Sequence, residues 1–188
     1  MSLPDVIHFL IVEDQVSDSF LLQRQLKKIC AHPEIRFVDS EISLINALKT
    51  YIPDMVLTDF NLVGMNAFDV IRISKDYNSK IPVVVITANL KYQEDKEKLI
   101  ESGAEGFFLK EPINTLNERM LPLFENILEV QKEKQEKIRT ERRRYDASKS
   151  QSDFLREYTF GENKEQESNP DSEKNIPLFH KILRIFKK

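Results

Sequence analysis

Cysteine is almost missing from this sequence. Cys30 stands alone, which excludes an internal disulfide and suits a reducing, cytoplasmic setting. Long hydrophobic runs are missing too. The longest, Val6 to Val12 and Ile81 to Ile86, have the length of strands and fall far short of the ~20 apolar residues that cross a bilayer as a helix. No export signal is visible. Glycine is scarce, at 4 residues in 188, while 31% of the chain is charged and 40% is hydrophobic. That balance predicts long solvated helices beside one buried core. Neither sign of charge dominates: a net charge of −3 gives no global attraction for nucleic acid. The length suits one compact domain with short accessory segments, and no internal repeat is present.

What the sequence does contain, up to about residue 110, is an alternation of short apolar runs with helix-period segments. Strands are predicted at Val6 to Val12, Ile35 to Val38, Met55 to Thr58, Pro82 to Thr87 and Gly106 to Leu109. The first and fourth are nearly all apolar, as a parallel sheet covered on both faces requires. Leu22, Leu26 and Ile29 repeat at helical spacing, as do Leu44, Ile45, Leu48 and Ile52, after the capping candidates Ser17 and Ser40. Gly103 closes a fourth helix. That helix is poor in apolar residues and is expected to be held less firmly than the others.

Pro122 would break a helix interior, so the fifth helix is expected to start near Leu121, with Pro112 to Met120 as a loop or short turn. The domain plan is then a globular unit over 1–130, a charged solvated extension of the fifth helix over 131–147, a flexible acidic linker over 148–175 and a basic amphipathic helix over 176–188. The fold class is α/β: a flavodoxin-like, doubly wound, five-stranded parallel sheet of order 2-1-3-4-5.

The placing of the acids turns this layout into chemistry. Glu13 and Asp14 directly follow the first strand and Asp59 directly follows the third. In that strand order these ends are neighbours, at the crevice where such folds bind ligands. Like charges ~4 Å apart repel by about 4 kcal/mol at an effective dielectric of about 20. Such a cluster therefore takes up protons or recruits a cation. Oxygen-only ligands point to Mg2+, which uses one or two carboxylates and keeps waters. Thr87 adds a hydroxyl after the fourth strand and Lys110 an ammonium after the fifth. Both suit a phosphoryl group, as does the backbone N–H of Ala88. Asp59 is the nucleophile by position.

Val12-Glu13-Asp14, Leu57-Thr58-Asp59-Phe60-Asn61-Leu62 with Gly64-Met65, Ile86-Thr87-Ala88, and Gly103-Ala104 leading to Phe107-Phe108-Leu109-Lys110 together resemble the signatures of bacterial two-component receiver domains, the CheY-like family, in that family's order. The likeness runs from roughly residue 5 to residue 130. It implies a response regulator, a phosphoacceptor switch that catalyses only its own phosphorylation and dephosphorylation. Asp59 would accept a phosphoryl group from a sensor histidine kinase or phosphotransfer protein. Asp14, Asp59 and the carbonyl of Asn61 would hold Mg2+, with Glu13 helping through water. Lys110 would pair with the phosphoryl group, Thr87 and Phe107 would form the switch pair, and Asn61 and Asn89 would tune phosphoryl lifetime. The chain departs from the pattern where Glu111 separates Lys110 from Pro112. A trans Lys110-Glu111 bond is expected there, since a cis bond before a non-proline residue costs ~2.5–4 kcal/mol. Phe107 replaces the commoner Tyr, and Val63 stands where Pro is frequent.

Other classes fare worse. A haloacid-dehalogenase phosphohydrolase would carry Asp-x-Asp after the first strand, and the acids there would repel the phosphate of a flavin. A transcription regulator with a DNA-binding output has only Arg142-Arg143-Arg144 in its favour, and that cluster sits among Glu133, Glu136 and Glu141 in what reads as a salt-bridged helix; no DNA partner is expected. His8, His32 and Cys30 read as structural. The terminal stripe Leu178, Phe179, Ile182, Leu183 and Phe186, opposite Lys181, Arg184 and Lys188, predicts docking on this domain, on a second copy as a homodimer, on a downstream protein or on a membrane surface.

Overall fold

In the computed structural model the chain is described over residues 3–88, 93–130 and 132–166. Its elements run β1 (Val6–Val12), α1 (Val16–Ile29), β2 (His32–Val38), α2 (Glu41–Thr50), β3 (Met55–Thr58), β4 (Asn61–Leu62), β5 (Met65–Asn66), α3 (Ala67–Tyr77), β6 (Val83–Thr87), α4 (Gln93–Glu101), β7 (Gly106–Leu109), a 3-10 turn at Ile113–Thr115, α5 (Leu116–Val130) and α6 (Lys132–Gln166). The main sheet has the order β2-β1-β3-β6-β7 and is parallel throughout. It matches the expected 2-1-3-4-5 order once the small β4-β5 hairpin is set apart.

Alternation along the strands builds two cores. Ile7, Phe9 and Ile11 of β1 meet Leu22 and Leu26 of α1 and Met120 and Phe124 of α5 on one face. Leu10 and Val12 meet Leu44 and Leu48 of α2 and Val70 and Ile71 of α3 on the other. Burying both faces is what makes β1 and β6 nearly all apolar. β2 lies at the edge, where Pro33 removes a backbone donor without cost to a second neighbour. The strand therefore starts at His32, three residues before the sequence indicates.

The helix starts follow local chemistry. Ser40 caps α2 in a reciprocal pair with Ser43, and Asn66 caps α3 with Asp69. Ser17 caps nothing: α1 begins at Val16, immediately after the acidic pair, with Gln15 at its cap position. Gly103, at φ 105°, follows α4 in the left-handed region. Of the described α4 side chains, Leu99 is the one that enters the core.

Two expectations are corrected around Pro122. α5 begins at Leu116, and Pro122 lies inside it. An interior proline costs about 3 kcal/mol, but Leu116, Met120 and Phe124 are fully buried on either side of it. Each such side chain returns roughly 1.5–3 kcal/mol, so packing wins. The single cis peptide bond among the described residues is Glu111-Pro112, and Lys110-Glu111 is trans as expected.

The larger correction concerns the charged stretch after the fifth helix. Rather than a solvated extension, the first part of α6 packs across the amino end of the sheet. Gln135, Ile138 and Arg142 share one face at i, i+3 and i+7. Ile138, the one apolar residue between Lys132 and Arg144, is fully buried in the α2-α3 core. Arg142 donates from both Nε and a terminal nitrogen to the Ile52 carbonyl, and from its other terminal nitrogen, which stands 2.9 Å from His8 Nδ1, to the Asp54 carboxylate at 3.4 Å. Glu141 accepts from Asn78 and Lys80, both at 2.8 Å. Arg143 and Arg144 remain exposed. A stretch of this charge reads as solvated because nothing in the sequence reveals that a buried acid, Asp54, awaits a cation.

Residues 146–166 form a unit of their own in which the α6 helix continues. The linker expected from Ser148 is therefore helical through Gln166. The stretch lacks proline and extends a helix already nucleated, so each further residue adds a bond without a new nucleus. The rest of that linker, 167–175, and the amphipathic segment 176–188 lie outside the described residues. No helix among the described residues is long and apolar enough to cross a membrane.

Burial pushes the Asp54 carboxyl upward, but hydrogen bonds from His8 and the Arg142 charge outweigh it and hold the group below its usual value of 3.8. Its stabilising effect is therefore present above pH 3.8 and is lost as pH falls through the lower folded value. Arg142→Ala removes hydrogen bonds to a charged partner and should cost about 2–3 kcal/mol in urea unfolding, whereas Arg143→Ala should stay within about 0.5 kcal/mol. Equal effects of the two substitutions would contradict the role of Arg142 as a latch between α6 and the Ile52-Asp54 segment.

Candidate functional site

The carboxyl ends of β1, β3, β6 and β7 deliver the chemistry to one hollow. In the β1-β3 register Val12 faces Thr58, so Glu13 and Asp59 emerge side by side, and the Asp59 N–H donates to the Val12 carbonyl at 3.1 Å. Across the sheet Thr87 pairs with Leu109, and the Lys110 N–H donates to the Thr87 carbonyl at 2.7 Å. Lys110 thereby reaches back across the strand ends. Its Nζ donates to Glu13 Oε2 at 2.8 Å and to Asp18 Oδ2 at 2.6 Å, and stands 3.6 Å from Asp59 Oδ1.

Of the five predicted strand-end groups, Glu13, Asp59, Thr87 and Lys110 are buried and Asp14 is half-buried. Burial pushes the Glu13 carboxyl above its usual value of 4.5, and the Lys110 hydrogen bond and charge only partly offset this. Burial acts in the other direction on Lys110, favouring the neutral amine. Its hydrogen bonds to Asp18 and Glu13, with the Asp59 charge, more than compensate and hold its pKa above 10.5. The ammonium is thus the counter-charge that lets several acids share a hollow with little water.

Asp14 turns toward the loop after β3, where its Oδ2 accepts from the Val63 N–H at 2.8 Å. Asp14 Oδ1 and Asp59 Oδ1 are buried with no hydrogen-bond partner. Among the described residues no three His, Cys, Asp or Glu side chains gather closely enough to cage an ion. Two carboxylate oxygens without hydrogen bonds nevertheless fit the donor chemistry of Mg2+, which takes one or two protein carboxylates and completes its shell with water. Phe107 is half-buried against the core, with the Lys96 ammonium 5.0 Å from its ring centre. Asn89 lies outside the described residues.

Sequence reasoning missed Asp18. A lone acid in a first helical turn is ordinary, because the helix N-terminus favours negative charge there. The one signal was its place in the first turn of the helix that follows the acidic strand end.

Residues 9–120 match the model of the response regulator receiver domain. The chain belongs to that family. The receiver is similar to the sensor protein EvgS of Escherichia coli strain K12, with 26% identity over 103 residues that make up 55% of this chain and 8% of EvgS. It thus spans under a tenth of that relative. Its fold is that of the phosphorylated cyanobacterial phytochrome response regulator RcpA, at TM-score 0.56 and 22% identity over 66% of this chain and 95% of RcpA. The Mn2+-bound response regulator Rcp1 superposes at TM-score 0.54 and 24% identity, over 65% of this chain and 95% of Rcp1. Membership sets aside the phosphohydrolase and flavin readings, and places the receiver in phosphorelay signalling at the level of its family.

The receiver's Glu13 carboxyl should titrate above 4.5 in a carboxyl-carbon NMR experiment, and higher still in Lys110→Ala, which removes the interactions that lower it. Because the folded value is raised, the charged form of Glu13 works against folding, and metal-free stability should fall as pH rises through that value. A Glu13 midpoint unchanged by Lys110→Ala would contradict this account of the site.

Proposed function

We propose that this receiver takes a phosphoryl group onto Asp59 from a histidine kinase or phosphotransfer protein, with Mg2+ bound, and signals by protein contact. The observation that carries the reading is the convergence on Lys110 of Glu13, 97 residues away in sequence, and Asp59, beside carboxylate oxygens that no protein donor satisfies. Asp14, Asp59 and the Asn61 carbonyl are the groups to hold the ion, with Glu13 acting through water. When bound, the ion supplies positive charge to the oxygens of the transferring group.

The protein's own part is alignment and neutralisation. An Asp59 oxygen attacks phosphorus in line. The bond from phosphorus to the donor nitrogen breaks, and its electron pair leaves with the donor. Lys110 moves onto a phosphoryl oxygen, while the Thr87 hydroxyl and the Ala88 N–H donate to the others. The receiver then acts as an enzyme only on itself, in gaining and losing this group, at a rate that Asn61 and Asn89 tune.

Donor docking has a surface to use. Val16, Phe20 and Leu21 of α1, the helix that carries Asp18, and Val63, whose N–H binds Asp14, are exposed apolar side chains that a helical donor would bury. Output lies elsewhere, where Thr87 and half-buried Phe107 would couple the phosphoryl group to the α4-β7-α5 face by shifting an existing equilibrium. A downstream protein or a second copy would read that face, and segment 176–188 would add a protein or membrane contact. No DNA partner is proposed, since Arg142 is already committed within the fold. The single cysteine supports a cytoplasmic setting.

Incubation with acetyl phosphate or phosphoramidate and Mg2+ should add one phosphoryl group, read by intact mass, to the wild type and none to Asp59→Asn. Equal uptake by the variant would move the acceptor elsewhere.

A further inference from the structure

Asp18 belongs to no expected role, yet it makes the shortest contact to Lys110. α1 starts directly after the acidic pair, so its first turn follows the end of β1 and brings Asp18 to the ammonium. An ammonium has three donors. Two are directed at Asp18 and Glu13, and Asp59 Oδ1, at 3.6 Å, receives none. Lys110 therefore neutralises Asp59 through space while leaving its oxygen uncovered.

Glu13 alone does not account for this arrangement. Its side chain is fully buried at the root of the hollow, and its other oxygen is occupied by the Gln15 N–H at 3.2 Å. With Asp18 absent, nothing draws the ammonium toward α1, and the strong acceptor left within a short movement is the Asp59 oxygen, 3.6 Å away. A direct hydrogen bond there would occupy the atom that must meet both a cation and a phosphorus.

We propose that Asp18 is a positioning residue that draws the Lys110 ammonium toward α1 and so keeps the Asp59 oxygen available. The inference rests on the phosphoacceptor reading and adds to it a resting-state competition. Lys110 is shared between an α1 carboxylate before phosphorylation and the phosphoryl group afterwards, and the strength of its hold on Asp18 sets how readily the site loads.

The test is the affinity of the full-length, unphosphorylated chain for Mg2+, followed by amide chemical shifts around Asp59 and by calorimetry. Asp18→Asn should weaken Mg2+ binding roughly five- to tenfold, the lower end of ordinary coupling between sites, and Asp18→Glu should restore most of it. In a Lys110→Ala background the Asp18→Asn effect should shrink below about twofold, since a residue acting through Lys110 has nothing left to act on. Lys110→Met, which keeps the apolar stem, serves as a second background should the alanine variant unfold. An equal loss with and without Lys110 would mean that Asp18 acts as bulk charge, and would overturn the inference. So would wild-type affinity in Asp18→Asn. Wild-type affinity in Asp59→Asn would instead remove the metal site and the phosphoacceptor reading itself, a result distinguishable from either.

Discussion

A lysine ammonium held almost out of water must be surrounded by carboxylates, and carboxylates gathered in a hollow need a cation. Lys110 meets both conditions at once: Glu13, Asp18 and Asp59 surround it on three sides. Each group is costly to bury alone, and together they are mutually dependent. That dependence explains why four strand ends must arrive in register before the site exists, and why the parallel order that brings β1, β3, β6 and β7 together comes before any chemistry at Asp59. The same logic makes the site responsive. Under the proposed phosphoacceptor role, a dianionic group at Asp59 would offer Lys110 a partner it lacks at rest, and the existing contacts would redistribute.

Much of this was legible in the sequence because parallel strands buried on both faces are continuous apolar runs, and their carboxyl ends are marked by whatever polar residue comes next. Glu13, Asp14, Asp59, Thr87 and Lys110 could be placed that way without any contact information. Asp18 could not, because a helix residue is located by rotation about an axis whose start must be known to within one position, and the start was misjudged through Ser17. Pro122 misled for a related reason. A local rule about a missing N–H does not see the three fully buried neighbours that decide the outcome. The α6 contact was hidden more deeply, since a stretch of mostly charged residues carries almost no amphipathic signal. Its single isoleucine and single committed arginine stand out only against the surface they meet.

That contact divides the receiver into two poles with different physics. At the carboxyl end of the sheet, acids outnumber the one cation and two carboxylate oxygens are left unpaired, an arrangement poised for an incoming ion. At the amino end, the Asp54 carboxylate is matched by His8 and Arg142, and its main-chain carbonyl accepts from Gln135. One pole is electrostatically incomplete and the other is nearly saturated, although both are built from buried acids at strand ends.

The Arg142 latch also has an unusual relation to heredity. Its principal acceptor is the main-chain oxygen of Ile52, and a carbonyl is encoded by every codon. Substitution at position 52 can alter packing but cannot delete that acceptor. Sequence drift among descendants of this chain would therefore erase the clasp mainly by replacing the arginine itself, and the fastening can outlive a complete turnover of the side chains beneath it.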